Sequence, residues 1–326
     1  MTAAGTARRT GRPASRLPDR PVLIAFGCIF LLLALGGLTS ASFLTPAFLG
    51  QQLQRAAYLG IIALGQFIVI LVGRIDLSTP WTITTSAILG TALASASGAA
   101  WIALPVGIAV GILIGLVNGL GVAYLRVPSM IFTLGVNSVL LGTMTLYTGG
   151  GFAPGDNATP FMAWLGVGRT LGISNPILVW LLLALVLSFA LRRTVFGKSV
   201  YALGNAEAAA YLSGIDTRKV VLGTFLISGF FSGLAGIVLA GYAGKAAQAM
   251  GDEFLLPSIA AVVLGGTNVL GGRGTVLGTV AGVLLVTLLG GMLTVTQIPE
   301  GGRLVIYSIA IIGMLLIYGR DKERRV

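Results

Sequence analysis

Ten apolar runs follow one another along this chain, at about 21–38, 56–72, 81–95, 101–124, 130–147, 176–191, 220–240, 255–271, 274–295 and 303–318, with short polar or glycine-rich stretches between them. A helix needs about 20 apolar residues to cross the hydrocarbon layer of a bilayer, and the runs match or approach that length. The pattern predicts an all-α, polytopic membrane protein of about ten transmembrane helices. Glycine and polar residues interrupt the runs near 56–95 and 255–295. Such interruptions mark broken or re-entrant segments beside a substrate path, because irregular backbone at membrane depth must be buried in protein or line a cavity. No linker divides the chain. Residues 21–319 read as a single transmembrane domain between a disordered basic tail (1–20) and a short second tail (320–326).

Glycine spacing adds a packing expectation. Gly107, Gly111, Gly115 and Gly119 recur every fourth residue, as do Gly274, Gly278 and Gly282, and Gly229 is followed by Gly233. Each row puts a smooth groove on one helix face, where another helix can approach closely.

Composition narrows the function classes. Apolar residues make up 56% and charged residues only 10%, whereas soluble domains carry about 25% charge. There is no histidine and a single cysteine, Cys28. The commonest metal ligand, the neutral-pH proton shuttle and any disulfide within the chain are thereby excluded. The net charge of +11 does not point to nucleic acid, since the basic residues lie almost entirely between the apolar runs. Arg8, Arg9, Arg12, Arg16 and Arg20 precede the first run, and Arg320, Lys322, Arg324 and Arg325 follow the last. Arg192, Arg193, Lys198, Arg218 and Lys219 share the loop 192–219. By the positive-inside rule both termini and this loop face the cytoplasm, and only four of the 21 Lys/Arg (Arg55, Arg169, Lys245, Arg303) fall outside. The first run is long enough to span, and no small-residue cleavage site follows it, so it reads as an uncleaved span.

Four segments carry candidate chemistry: LVGRIDLS (71–78), VPSMIFTLG (127–135), YALGNAEAAAYLSGI (201–215) and GGTNVLGGRGTVLGT (265–279). Asp76 is a rare acid adjoining an apolar run, costly there unless paired or hydrogen-bonded. It can pair with Arg74, cap the helix that should begin near Thr79–Pro80, or meet a solute hydroxyl. Thr133 and Asn137 fall on one helix face, and Gln66, Asn118 and Asn268 are further amides within spans. Amides and hydroxyls offer the donors and acceptors that a neutral polyhydroxylated solute needs in place of water. Glu207–Leu212 should form a short helix of small residues, closed by Ser213 and Gly214.

In order and spacing these segments resemble the permease subunits of the ribose/xylose class of bacterial ABC sugar importers, over roughly Ala56 to Gly319. Arg74, Met130 and Tyr211 depart from the family pattern. The resemblance implies an ABC importer permease fold in the cytoplasmic (inner) membrane. It also implies a second permease subunit, identical or not, a cytoplasmic ATPase subunit and an external sugar-binding protein. Substrate-pathway residues would then be Gln66, Asp76, Ser78, Asn118, Thr133, Asn137, Thr267 and Asn268. Residues coupling to the ATPase would be Asn205, Glu207, Ala208, Ala209, Ser213 and Gly214. The chain lacks a Gly-x4-Gly-Lys-[Ser/Thr] loop, so ATP and Mg belong to the partner and no cofactor is expected here. The chain is thus expected to be a transport subunit rather than an enzyme. The rival readings are a branched-chain amino-acid-type ABC permease and an ion-coupled secondary transporter.

Overall fold

A computed structural model of the chain describes residues 20–150, 157–299, 301–309 and 312. The chain is a bundle of helices with one two-stranded hairpin. Helix α1 (Arg20–Thr39) leads through a 3-10 turn to α2 (Pro46–Leu71). Then come α3 (Thr79–Ser97), α4 (Ala103–Ala123), α5 (Ser129–Thr148) and the short α6 (Pro160–Val167). Strands β1 (Arg169–Thr170) and β2 (Ile173–Ser174) pair antiparallel before α7 (Asn175–Arg193). Helices α8 (Val195–Asn205) and α9 (Glu207–Leu212) form the long connection to α10 (Thr217–Ala243), followed by α11 (Leu255–Leu264) and α12 (Val276–Val295). Residues 301–309 are helical. The tails 1–19 and 320–326, and most of the expected last span beyond 309, lie outside the described residues.

Six described helices are long and apolar enough to cross a membrane: α2, the segment containing α4, α5, α7, α10 and α12. Helix α1 supplies a shorter apolar stretch, Val22–Leu38. The expected run 56–72 begins ten residues earlier, because Thr45 caps the helix by accepting from the Phe48 amide and proline opens the first turn. The expected run 255–271 is not one helix. Helix α11 stops after 10 residues, and Gly266, Gly271, Gly272 and Gly274 take positive φ before α12 begins. Helix α3 packs inside the bundle despite its polarity, with Thr79, Thr82, Thr84, Thr85 and Thr91 buried among other helices. The hydroxyls of Thr82, Thr84 and Thr91 donate back to the carbonyls of Ser78, Pro80 and Ala87, so they need no other partner.

From Ala56 to Leu71 every residue of α2 is buried, which makes it the core of the bundle. Helices α7, α10, α11 and α12 pack around it in one apolar cluster. The two glycine rows on α4 and α10 face each other. A side chain at Gly111 would strike the Gly229 carbonyl, one at Gly229 the Gly111 carbonyl, and one at Gly233 the Gly107 carbonyl. The row on α12 meets the end of α11, with Gly278 against Gly265 and Gly282 against Ala261. By contrast, only Ser129, Thr133 and Met144 of α5 are buried.

Candidate functional site

All four sequence segments meet around the break between α2 and α3. The last turn of α2 closes when the amides of Gly73 and Arg74 donate to Ile70 and Val69. Gly73 has φ +74, a conformation that glycine adopts without steric cost. The chain then runs non-helically to Ser78, and neighbouring elements take up its backbone groups. The Ile75 amide donates to Ser129 Oγ at 3.3 Å and the Leu77 amide to Thr133 Oγ1 at 3.0 Å, both at the start of α5. The Gly272 amide donates to the Leu71 carbonyl at 2.9 Å, and Tyr201 donates to the Gly274 carbonyl at 2.9 Å. Buried irregular backbone at this depth has to be satisfied in this way.

At the centre lies a buried polar cluster. Asp76 is 2% exposed. Its Oδ1 accepts from the Ser78 amide at 3.0 Å and from Ser78 Oγ at 2.7 Å, and its Oδ2 accepts from Ser228 Oγ at 2.9 Å. Asn118 Nδ2 donates to Ser78 Oγ at 2.7 Å. Gln66 Nε2 donates to the Asp76 carbonyl at 2.6 Å and to Thr79 Oγ1 at 2.9 Å. Gln66, Asp76, Ser78, Asn118 and Thr133, from three helices and the break, are therefore brought together as one network. Among the described residues the Oε1 of Gln66 and the Oδ1 of Asn118 stay buried without a partner, which leaves the network with acceptor capacity to spare.

The expected pairing of Asp76 with Arg74 is not formed. Arg74 instead reaches outward, and its Nη2 lies 3.0 Å from Glu207 Oε2 on α9. Serine hydroxyls supply the buried carboxyl group with hydrogen bonds in place of a guanidinium. The capping expectation is not met: Ser78 occupies the cap position of α3 without a side-chain cap bond, and Asp76 closes only the turn before the helix by accepting from the Ser78 amide. Asn137 sits at the margin, its Oδ1 accepting from the Trp81 amide at 3.4 Å. Asn268 lies apart from the cluster. Its Oδ1 accepts from the Leu270 amide at 3.0 Å and shapes the 265–275 turn. Thr267 is fully buried beneath that turn, against Gly274, and its hydroxyl is unpartnered.

The coupling candidates form one exposed feature. Asn205 ends α8 with Nδ2 donating to the Tyr201 carbonyl, and its side chain packs on Gly272. Glu207, Ala208 and Ala209 are exposed along α9. Ser213 caps its end and Gly214 follows with φ +81. Tyr211 is 69% and Leu212 85% exposed on this helix, so α9 presents apolar surface that no described residue covers. Asp216 then caps α10, and its hydrogen bond from Lys219 holds its carboxyl below the usual carboxylate range. Among the residues that sequence reasoning missed, Ser228 stands out. Only its place beside the Gly229–Gly233 row hinted at a helix face turned inward, and nothing in the chain announced a bond across 152 residues.

Residues 48–318 match the family described as branched-chain amino acid transport system / permease component. The chain is similar to the ribose import permease protein of Haemophilus influenzae, with 32% identity over 90% of this chain and 91% of that one. It is similar to the ribose import permease protein of Bacillus subtilis at 35% identity, over 89% and 90% of the two chains. The autoinducer 2 import system permease protein of Salmonella typhi is 32% identical over 93% of this chain and 86% of its own.

Proposed function

Since this chain belongs to the branched-chain amino acid transport system / permease component family, and there to the ribose/xylose type of ABC importer permease, we propose that it moves a monosaccharide or related polyol inward by alternating access, driven by a separate ATPase subunit. The partners are that ATPase, which binds the ATP and Mg, a second permease subunit and an external sugar-binding protein. The chain is a multi-pass protein of the inner membrane, with both termini and the α8–α9 connection on the cytoplasmic side.

One observation carries the coupling step. The exposed helix α9 is tied to the α2–α3 break by the Arg74–Glu207 pair, and the neighbouring end of α8 touches Gly272, whose amide caps α2. A displacement of α9 by a closing ATPase is thus delivered to the backbone that holds Asp76, Ser78 and Thr133. Transport of this kind needs no covalent chemistry, only an equilibrium between two conformations biased by differential binding. The buried network also speaks to substrate class. Its single carboxylate is consumed by Ser78 and Ser228, leaving amides and hydroxyls, which suits a neutral solute better than the zwitterion of an amino-acid permease.

The test is charge reversal in liposomes with the partner subunits. Glu207→Arg should insert normally but lose sugar-stimulated ATP hydrolysis and uptake, and adding Arg74→Glu should restore part of both. Uptake unchanged by Glu207→Arg would count against the coupling role.

A further inference from the structure

The opposite end of α2 borders a second feature, far from the break. Gln52 precedes Leu71 by 19 residues, about 28 Å at 1.5 Å per residue. There the first turns of α2, the last turns of α10 and α12, the start of α11 and the stretch 301–309 enclose a cavity of about 330 Å³. That is within the ~300–1,000 Å³ range of small-molecule sites.

Among the described residues, two polar side chains lining it hold a buried atom without a partner, and a third makes no hydrogen bond. Gln52 is 5% exposed with its Oε1 buried and unbonded, and the Thr287 hydroxyl is likewise buried and unbonded. Tyr307 is 7% exposed, and its hydroxyl makes no hydrogen bond among the described residues. A buried polar group without a partner forfeits its hydration for nothing, so native chains keep few of them. Two adjacent glycines make room for two of these groups. A Cβ at Gly291 would stand 2.8 Å from Gln52 Oε1, and one at Gly290 would stand 2.7 Å from Tyr307 Oη. At the rim, Arg55 and Arg303 are accompanied by Glu253, so neither sign of charge has the rim to itself. The interior groups each both donate and accept, which is what an array of hydroxyls requires.

We propose that this cavity binds one neutral polyhydroxylated solute within a single permease chain, at the end remote from α9. The proposal rests on the importer reading only in taking this end as the outer one.

The test uses the full-length permease with its ATPase partner in nanodiscs, without the external binding protein. The probes are D-ribose and ribitol, followed by saturation-transfer NMR and titration. Millimolar binding is expected, weakened at least tenfold by Gln52→Leu and by Gly291→Val, and several-fold by Tyr307→Phe. Leu171→Ser, at an exposed hairpin tip, should bind as the natural chain does. If Gly291→Val does not assemble, Gln52→Leu, which is close in volume, decides. No binding of either polyol, or equal binding by Gln52→Leu, overturns the proposal. So does phosphatidylglycerol that co-purifies with the natural chain and is lost from these variants, because the cavity would then hold a lipid headgroup. With the external binding protein then added back, polyol binding without sugar-stimulated ATP hydrolysis would sink the importer reading and leave the site standing; the reverse result would do the opposite.

Discussion

Asp76 shows how a carboxyl group is held inside the bundle without a basic partner. Three donors converge on it, two from Ser78 and one from Ser228, and each compensates part of the hydration that burial removes. Asp76→Ala would leave those donors facing a void, and each orphaned buried group costs roughly 1–3 kcal/mol. Thermal unfolding in detergent should therefore fall markedly for Asp76→Ala, and by about 1 kcal/mol for Ser228→Ala, where one hydrogen bond is lost. If the carboxylate is structural, purified Asp76→Asn should keep its preference among sugars while its maximal rate drops. A changed preference would instead place Asp76 against the substrate. The residue type was legible in the sequence as a functional or structural hot point, but its partner was not. Arg74, two positions away, was one of three readings, and the fold turned it towards Glu207 instead.

Among the elements, α4 and α10 are joined by glycine against glycine. Lipid gives little hydrophobic reason for helices to associate, so close van der Waals packing has to supply it. Gly111→Val should force the two backbones apart and cost about 1–3 kcal/mol or more, as overpacking does. The check is the thermal midpoint of the purified chain, with Gly135→Val as the comparison, since Gly135 has open space around it. Helix α9 obeys a different logic. Six residues with two large apolar side chains exposed do not hold themselves together for their own sake. Leu212→Ala should weaken capture of the ATPase subunit about fivefold or more, the loss expected of a hot-spot side chain worth over 1 kcal/mol, while leaving the fold unchanged. Equal capture by natural and variant chains in a detergent pull-down would move the docking surface elsewhere. Both elements were visible beforehand, α4 and α10 through four-residue spacing and α9 through small residues ended by Ser213-Gly214. That the two glycine rows face one another was not, because spacing names a face and leaves its neighbour open.

At the scale of the whole molecule, two polar features lie towards opposite ends of α2, the break beside α9 and the cavity beside Gln52. Their sidedness can be measured directly, because Cys28 is the only natural cysteine. In a Cys28→Ser background, a cysteine at Leu212 should react with an impermeant maleimide only after the cells are opened, and one at Leu171 should react in intact cells. Both positions are well exposed, at 85% and 98%. Labelling of Leu212→Cys from outside would reverse the topology.

What the sequence determined by itself was everything that depends on neighbours along the chain: apolar length, charge asymmetry, glycine spacing and the turn residues around 72–78 and 265–275. These follow from hydrocarbon thickness and from local backbone sterics, which act over a few residues. The tertiary structure alone decided which polar groups meet. Gln66, Asp76, Asn118 and Ser228 become one network, while Asn268 stays in its own turn. It also decided that α11 stops after 10 residues and that Gln52 and Tyr307 line one cavity. Hydrogen bonds and voids are properties of surfaces brought together in space, and no pattern along a single helix specifies the helix that will face it.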